Sequence, residues 1–237
     1  MQSTMSRALL HAVAMCSLLL SAPLANAQQW VEGKDYIEIR PAQRPSTPPG
    51  VVEVTEVFSY ACVFCNRAVP IMDKLQASLP SNARMTYLPA AFNASESWPM
   101  FQRVFYTLTA LGQIPKMHDT VYSAVWTSKE LAVTEADGRR LKSPQPTLED
   151  AAAYFQKKAG IKQEQFLATA KSFAVDANCR RADQLVKAYR IEGTPTLIVN
   201  GRYKIGAEAL GSETKLIALV KWLIQKEAGG SAAASGR

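Results

Sequence analysis

Two cysteines three residues apart, Cys62 and Cys65, separate an apolar strand-like run, Val51 to Tyr60, from a segment whose apolar residues recur at helical spacing. That junction constrains the fold more than any other part of the chain. A strand that runs straight into a helix starting at a thiol is an α/β element. The first cysteine then lies at a helix N-terminus, where unpaired N–H groups and the helix dipole favour a thiolate, the attacking species in disulfide exchange. The second, one turn on, can close an intramolecular disulfide or expel a bound partner.

Ala68, Ile71, Met72, Leu75 and Leu79 carry the apolar stripe onward and predict a helix over about 62–79. Pro70 falls inside it and is expected to kink rather than end it, because the stripe continues beyond. In the preceding strand Val52, Val54, Glu56 and Phe58 share one face by period two, which makes Glu56 the odd member of an apolar surface. A short strand is expected over Tyr36 to Arg40, a proline-rich loop over Ala42 to Gly50, and another strand over Met85 to Phe92.

From Ser97 to about Arg190 the pattern is helical almost throughout, with a long loop over Thr134 to Pro146. Thr147-Leu148-Glu149-Asp150 resembles a capping box and opens a helix stopped at Gly160. Gln163 to Lys171 and Phe173 to Tyr189 continue the helices, and Cys179 falls on the buried stripe of the latter, as a packed thiol or a dimer-forming one. After Gly193-Thr194-Pro195, the stretches Thr196 to Val199 and Tyr203 to Ile205 read as a hairpin on an Asn200-Gly201 turn. A closing amphipathic helix is expected over Glu213 to Glu227.

Residues 1–27 read as a secretory signal, with Arg7 before an apolar run and Ala25-Asn26-Ala27 as the cleavage site. Removing it takes one cation and no acid from the 27 Lys+Arg and 20 Asp+Glu, leaving 26 − 20 = +6. No basic block with interleaved aromatics is present, so no nucleic-acid partner is expected, and no later segment is apolar enough to anchor the chain in a membrane. Cys62, Cys65 and Cys179 remain after cleavage, too few for a disulfide framework. In an oxidising compartment the C-x-x-C pair is better explained as chemistry than as a staple, since so short a ring stabilises little.

Strand, C-x-x-C at a helix start, strand, then Thr-Pro opening a hairpin and a last helix is an order that resembles the thioredoxin fold. Pro70 matches that fold's kink proline, and Thr194-Pro195 matches its cis-proline loop. The 130 positions from Cys65 to Pro195 are too many for plain thioredoxin. With the excess helical, the chain looks like the DsbA-type thiol:disulfide oxidoreductases of the bacterial periplasm: a thioredoxin-like α/β fold with an inserted all-helical subdomain. The expected division is signal peptide 1–27, first thioredoxin-like part 28–96, helical insertion with linker helix 97–190, second part 191–228 and disordered tail 229–237.

The resemblance implies that Cys62 attacks or is attacked, that Cys65 resolves, that Pro195 packs beside them, and that Glu56 occupies the position of the family's buried acid. It implies a monomer, without cofactor or metal, that passes its disulfide to reduced, newly exported proteins and is reoxidised by a DsbB-like membrane quinone-linked oxidase. Val63, Phe64 and Thr194, with Tyr60, would form the rim that holds an unfolded substrate. Two departures stand out. The family's best-known motif places Pro-His between the cysteines, whereas Val63-Phe64 brings no charge, which implies a weaker oxidant. The cation often found near the buried acid is replaced by Tyr87.

Glu56 is read either as a proton acceptor and donor for Cys65 or as a structural acid satisfied by local hydrogen bonds. His118, the one histidine left after cleavage, is read as a surface residue. A reductase or isomerase kept reduced in the cell is the competing enzyme, and a soft-metal chaperone using the two thiols is the competing binding module.

Overall fold

The computed structural model describes residues 30–234, so the signal segment 1–27 lies outside the described residues. Contacts group Val31–Arg237 as one unit, in which strands and inserted helices are not separated. Its sheet has five strands: β1 (Ile37–Glu38), β2 (Val52–Phe58), β3 (Ala83–Pro89), β4 (Thr196–Val199) and β5 (Tyr203–Ile205). Their order across the sheet is β1-β5-β4-β2-β3. β2 pairs parallel with β3 and antiparallel with β4, and this register sets Glu56 opposite Tyr87 on one side and Leu197 on the other. The β4–β5 turn places both Asn200 (φ 52) and Gly201 (φ 64) at positive φ, the requirement of the tight hairpin turn that Asn-Gly signals.

Helix α1 (Val63–Ser78) follows β2 and carries Pro70 inside it, burying Cys65, Ala68, Met72 and Leu75. The inserted helices are α2 (Trp98–Ala110), α3 (Ile114–Trp126), α4 (Leu148–Ala159), α5 (Gln163–Ala170) and the linker α6 (Phe173–Ala188). The box at Thr147 forms as the sequence predicts: its hydroxyl accepts from the Asp150 N–H while Asp150 accepts from the Thr147 N–H, and Gly160 ends α4 at φ 67. Helix α7 (Glu213–Ala234) closes the chain. It continues past Glu227 into the segment from Gly229 that composition assigned to a disordered tail, because extending an existing helix, even through Gly229-Gly230-Ser231, escapes the nucleation cost.

β2 departs from a half-buried strand. All seven of its residues are buried, so Glu53 and Thr55, on the face opposite Glu56, are buried as well. Glu53 is satisfied by the backbone N–H and hydroxyl of Ser46, and Thr55 by the Thr86 hydroxyl at 3.0 Å. On that side Val57, Leu88 and Ile198 pack with Ala182 and Tyr189 of α6 and its following turn. On the other, Phe58, Tyr60, Cys62 and Cys65 join one apolar cluster with α2, α3, α4 and α5. The C-terminal end of β2 is therefore roofed by the inserted helices, and the two thiols sit under that roof.

Candidate active site

Cys62 is the N-cap of α1, in extended backbone conformation (φ −91°, ψ 117°), and Cys65 is the third residue of the helix. Both are free thiols, so the geometry is that of the dithiol form. The Cys62 thiol donates to the carbonyl oxygen of Thr194 at 3.4 Å, across 132 positions of sequence. The Thr194-Pro195 peptide is cis, and Pro195 is buried.

The two sulfurs have opposite electrostatics. Cys62 is pulled down to about 6, first by a hydrogen bond from the Cys65 thiol, then, against the opposing effect of desolvation, by the Thr194 hydroxyl and the N–H groups of Cys65 and Phe64. Those two N–H groups belong to the second and third helical residues, the orphan donors of an N-terminus. No charged side chain is among these causes. Cys65 is fully buried, and desolvation, then the Cys62 sulfur and Glu56, push its thiol far above the usual range. Among the described residues the Thr194 hydroxyl has no partner in this dithiol form, which leaves it free to donate once Cys62 ionises.

Behind Cys65, buried aromatic and titratable side chains form the inner part of the site, its chamber. Glu56 is 3% exposed, and burial, followed by the negative charges of Asp73, Asp119 and Cys62, raises its carboxyl to about 8. Around it stand Tyr60, Tyr87 and Tyr122, each raised by desolvation with Glu56 adding to the effect. On β3, Tyr87 pairs directly opposite Glu56, and its hydroxyl donates to Gln76 at 3.0 Å.

Two readings need correction here. His118 is not a surface residue: its ring is packed among Phe58, Tyr60, Tyr87, Phe105 and Tyr122, and burial lowers its imidazole to about 4. Tyr60 is not on a substrate rim: it is 1% exposed, and its hydroxyl bonds His118 Nδ1 at 2.8 Å. Both misplacements have one structural source: α3 carries His118, Tyr122 and Trp126 at steps of four, and that face meets Phe58 and Tyr60 beside the thiols. Of the expected rim, Phe64 is 62% exposed, with the Arg67 guanidinium 5.7 Å above its ring, while Val63 and Thr194 are half-buried. Cys179 is buried in α6, and desolvation raises its thiol to about 11.

A family model described as a DSBA-like thioredoxin domain matches residues 53–215, a stretch that holds β2, both thiols, the cis-proline loop and every inserted helix. The chain belongs to that family. It is 31% identical over 215 residues to the thiol:disulfide interchange protein DsbA of Pseudomonas aeruginosa PAO1, covering 91% of this chain and 93% of that one. The protein of the same name from Bordetella parapertussis is 33% identical over 213 residues, 90% of this chain and 92% of that one. Among solved structures, the crystal structure of Pseudomonas aeruginosa DsbA superposes with a TM-score of 0.73 at 29% identity, over 87% of this chain and 98% of that one. The chain is thus a thiol:disulfide oxidoreductase with a DsbA-like thioredoxin fold. Among its described residues no helix is long and apolar enough to cross a membrane, and no group of three or more His, Cys, Asp and Glu is placed to hold a metal ion.

Proposed function

We propose that this DsbA-like protein is a periplasmic oxidase that passes the Cys62–Cys65 disulfide to newly exported proteins. A substrate thiolate attacks the Cys62 sulfur, the Cys62–Cys65 bond breaks, and Cys65 leaves with the electron pair and takes up a proton. A second substrate thiolate then attacks its own sulfur in the mixed disulfide, so that the substrate gains a disulfide and Cys62 leaves as a thiolate. The observation that carries this reading is the asymmetry of the pair: Cys62 caps a helix and faces the cis-proline loop, while Cys65 is sealed beneath it.

The assignment of roles follows from that asymmetry. Cys62 is the attacked sulfur, Cys65 the resolving one, and Glu56 the donor and acceptor of the Cys65 proton, since a carboxyl raised to about 8 carries a proton at neutral pH and can release it. The Thr194-Pro195 loop offers backbone groups to an extended substrate, and the exposed Phe64 with Val63 forms the apolar contact beside it. The protein acts as a monomer and is reoxidised by a DsbB-like membrane quinone-linked oxidase.

The depressed Cys62 thiol favours the reduced protein, as an oxidase requires. A fall from 9.0 to about 6 stabilises the folded dithiol by about 1.4 kcal/mol at pH 7, or about 30 mV of oxidising power, and this is lost as pH falls through about 6. With dipoles and no charge as its cause, the protein is a weaker oxidant than Pro-His relatives.

Refolding of a reduced, unfolded protein with wild type and Cys65→Ala tests the roles. Cys65→Ala is expected to lose turnover and accumulate a mixed disulfide at Cys62; accumulation at another cysteine would refute the assignment. An in vivo pool of Cys62/Cys65 trapped mainly reduced would favour a reductase or isomerase instead.

A further inference from the structure

Between β2 and α1 the chain makes one tight turn. The Cys62 N–H donates to the Ser59 carbonyl at 3.1 Å, which closes a β-turn with Tyr60 and Ala61 at its centre. The peptide that joins Tyr60 to Ala61 takes no part in that closing bond, so its carbonyl and its N–H need partners from elsewhere. Both have one. The Ala61 N–H donates to the Ser59 hydroxyl at 3.2 Å, and the Tyr60 carbonyl accepts from the Trp126 indole N–H at 2.8 Å.

Trp126 is the last residue of α3, so this bond ties the inserted helices to the residue two before Cys62. The same helix holds the other end of Tyr60: its hydroxyl is bonded to His118 Nδ1, and its ring stands edge-on to Tyr122 with centroids 4.9 Å apart. Tyr60 is 1% exposed, so bulk water does not reach its carbonyl in place of the indole. The direction of the turn decides where Cys62 points. Its thiol has to meet the Thr194 carbonyl at 3.4 Å and the N–H groups at the start of α1. A turn tied on one side alone can rock about the Tyr60–Ala61 peptide, and hydrogen bonds weaken steeply as they lose alignment.

We propose that Trp126 is a positioning residue for the attacked thiol: its indole N–H fixes the Tyr60 carbonyl and so aims Cys62 at the N-terminus of α1 and at the cis-proline loop. The inference rests on Cys62 being the attacked sulfur, and it adds a residue of the helical insertion to the groups that orient it.

The test is iodoacetamide labelling of Cys62 in the reduced protein from pH 4 to 9, with denaturant melts alongside, for wild type, Trp126→Phe and Trp98→Phe. Trp126→Phe removes the N–H and keeps a ring against the apolar cluster and beneath the Lys129 ammonium, which lies 5.6 Å from the indole centroid. Trp98 is the matched control, half-buried on the same cluster but with its indole N–H donating to Glu96 at 3.2 Å. Trp126→Phe is expected to raise the Cys62 midpoint by about half a unit and to slow labelling about threefold at pH 5, the loss of one aligned hydrogen bond. Trp98→Phe is expected to superpose on wild type. An isostere of Trp126 in which sulfur replaces the indole N–H should reproduce the shift with the packing intact, and it carries the test if Trp126→Phe does not fold. A tryptophan that only packs lowers the melt and leaves the midpoint where it was. A midpoint unchanged in the Trp126 variants, or moved equally in Trp98→Phe, therefore overturns the proposal. If Cys65→Ala accumulates its mixed disulfide at a cysteine other than Cys62, the role of Cys62 itself fails, and that of Trp126 falls with it.

Discussion

The mouth of the site and the chamber behind it handle two identical side chains in opposite ways. At the mouth, Cys62 meets fixed dipoles: N–H groups of α1, the Thr194 hydroxyl and the neighbouring thiol, which together hold it at about 6. In the chamber, one helical turn on, Cys65 meets apolar and aromatic walls and an acid at about 8, which hold it neutral. Helix position explains part of the contrast, because only Cys62, at the N-cap, receives the orphan N–H groups of the first turn. Solvent exclusion explains the rest: Cys65 is fully buried, and desolvation is the first cause of its rise. The insertion is therefore more than a cover over a thioredoxin-like core. Its helices share one apolar cluster with both cysteines, of which the fully buried one is raised and the one at the helix start is lowered.

The comparison is broken most severely by removing the chamber's acid. Glu56 holds its proton to about 8 in the folded chain but ionises near 4.5 when unfolded. A raised acid gives its full stability below pH 4.5 and loses it as pH rises towards 8. Glu56→Gln is therefore expected to stabilise the reduced protein by on the order of 2 kcal/mol at pH 7.5, with the gain vanishing below pH 4.5. Denaturant melts of both proteins across that range check it; a loss of stability at pH 7.5 would mean that Glu56 is a satisfied structural acid. The same substitution is expected to slow resolution by Cys65, so stability and turnover move in opposite directions at this residue.

A smaller effect is expected at the mouth. Phe64 is exposed and brings no charge to Cys62, so Phe64→His adds the cation that the dipoles lack. Its expected result in a glutathione redox titration is a shift of about 30 mV towards the more oxidising side, about tenfold in the equilibrium constant. An unchanged potential would show that the dipoles already saturate the thiolate and that the dipeptide does not set oxidant strength.

The two regions also differ in how far they could be read from the chain. The mouth is local: Cys62, Cys65 and Pro70 lie within one helix, and Thr194-Pro195 announces itself by residue type, so motif spacing finds them all. Helix ends with side-chain or turn chemistry, Thr147 with Asp150, Gly160 and Asn200-Gly201, were equally legible. The chamber is not local. Tyr60 and His118 are 58 positions apart, Tyr60 and Trp126 are 66 apart, and a helical aromatic stripe has the same period whether it faces its own subdomain or a distant thiol. Glu53 escaped notice for a related reason, since alternation along β2 assigns one face to solvent, and only the packing of α6 shows both faces covered.

The most direct measurement is the pH dependence of iodoacetamide labelling of the reduced protein, followed separately at Cys62 and Cys65 by mass spectrometry. Cys62 is expected to label with a midpoint near 6, and Cys65 to remain unlabelled through pH 9. Equal labelling of the two thiols, or a Cys62 midpoint near that of an ordinary cysteine at about 8.5, would contradict the opposite electrostatics of mouth and chamber.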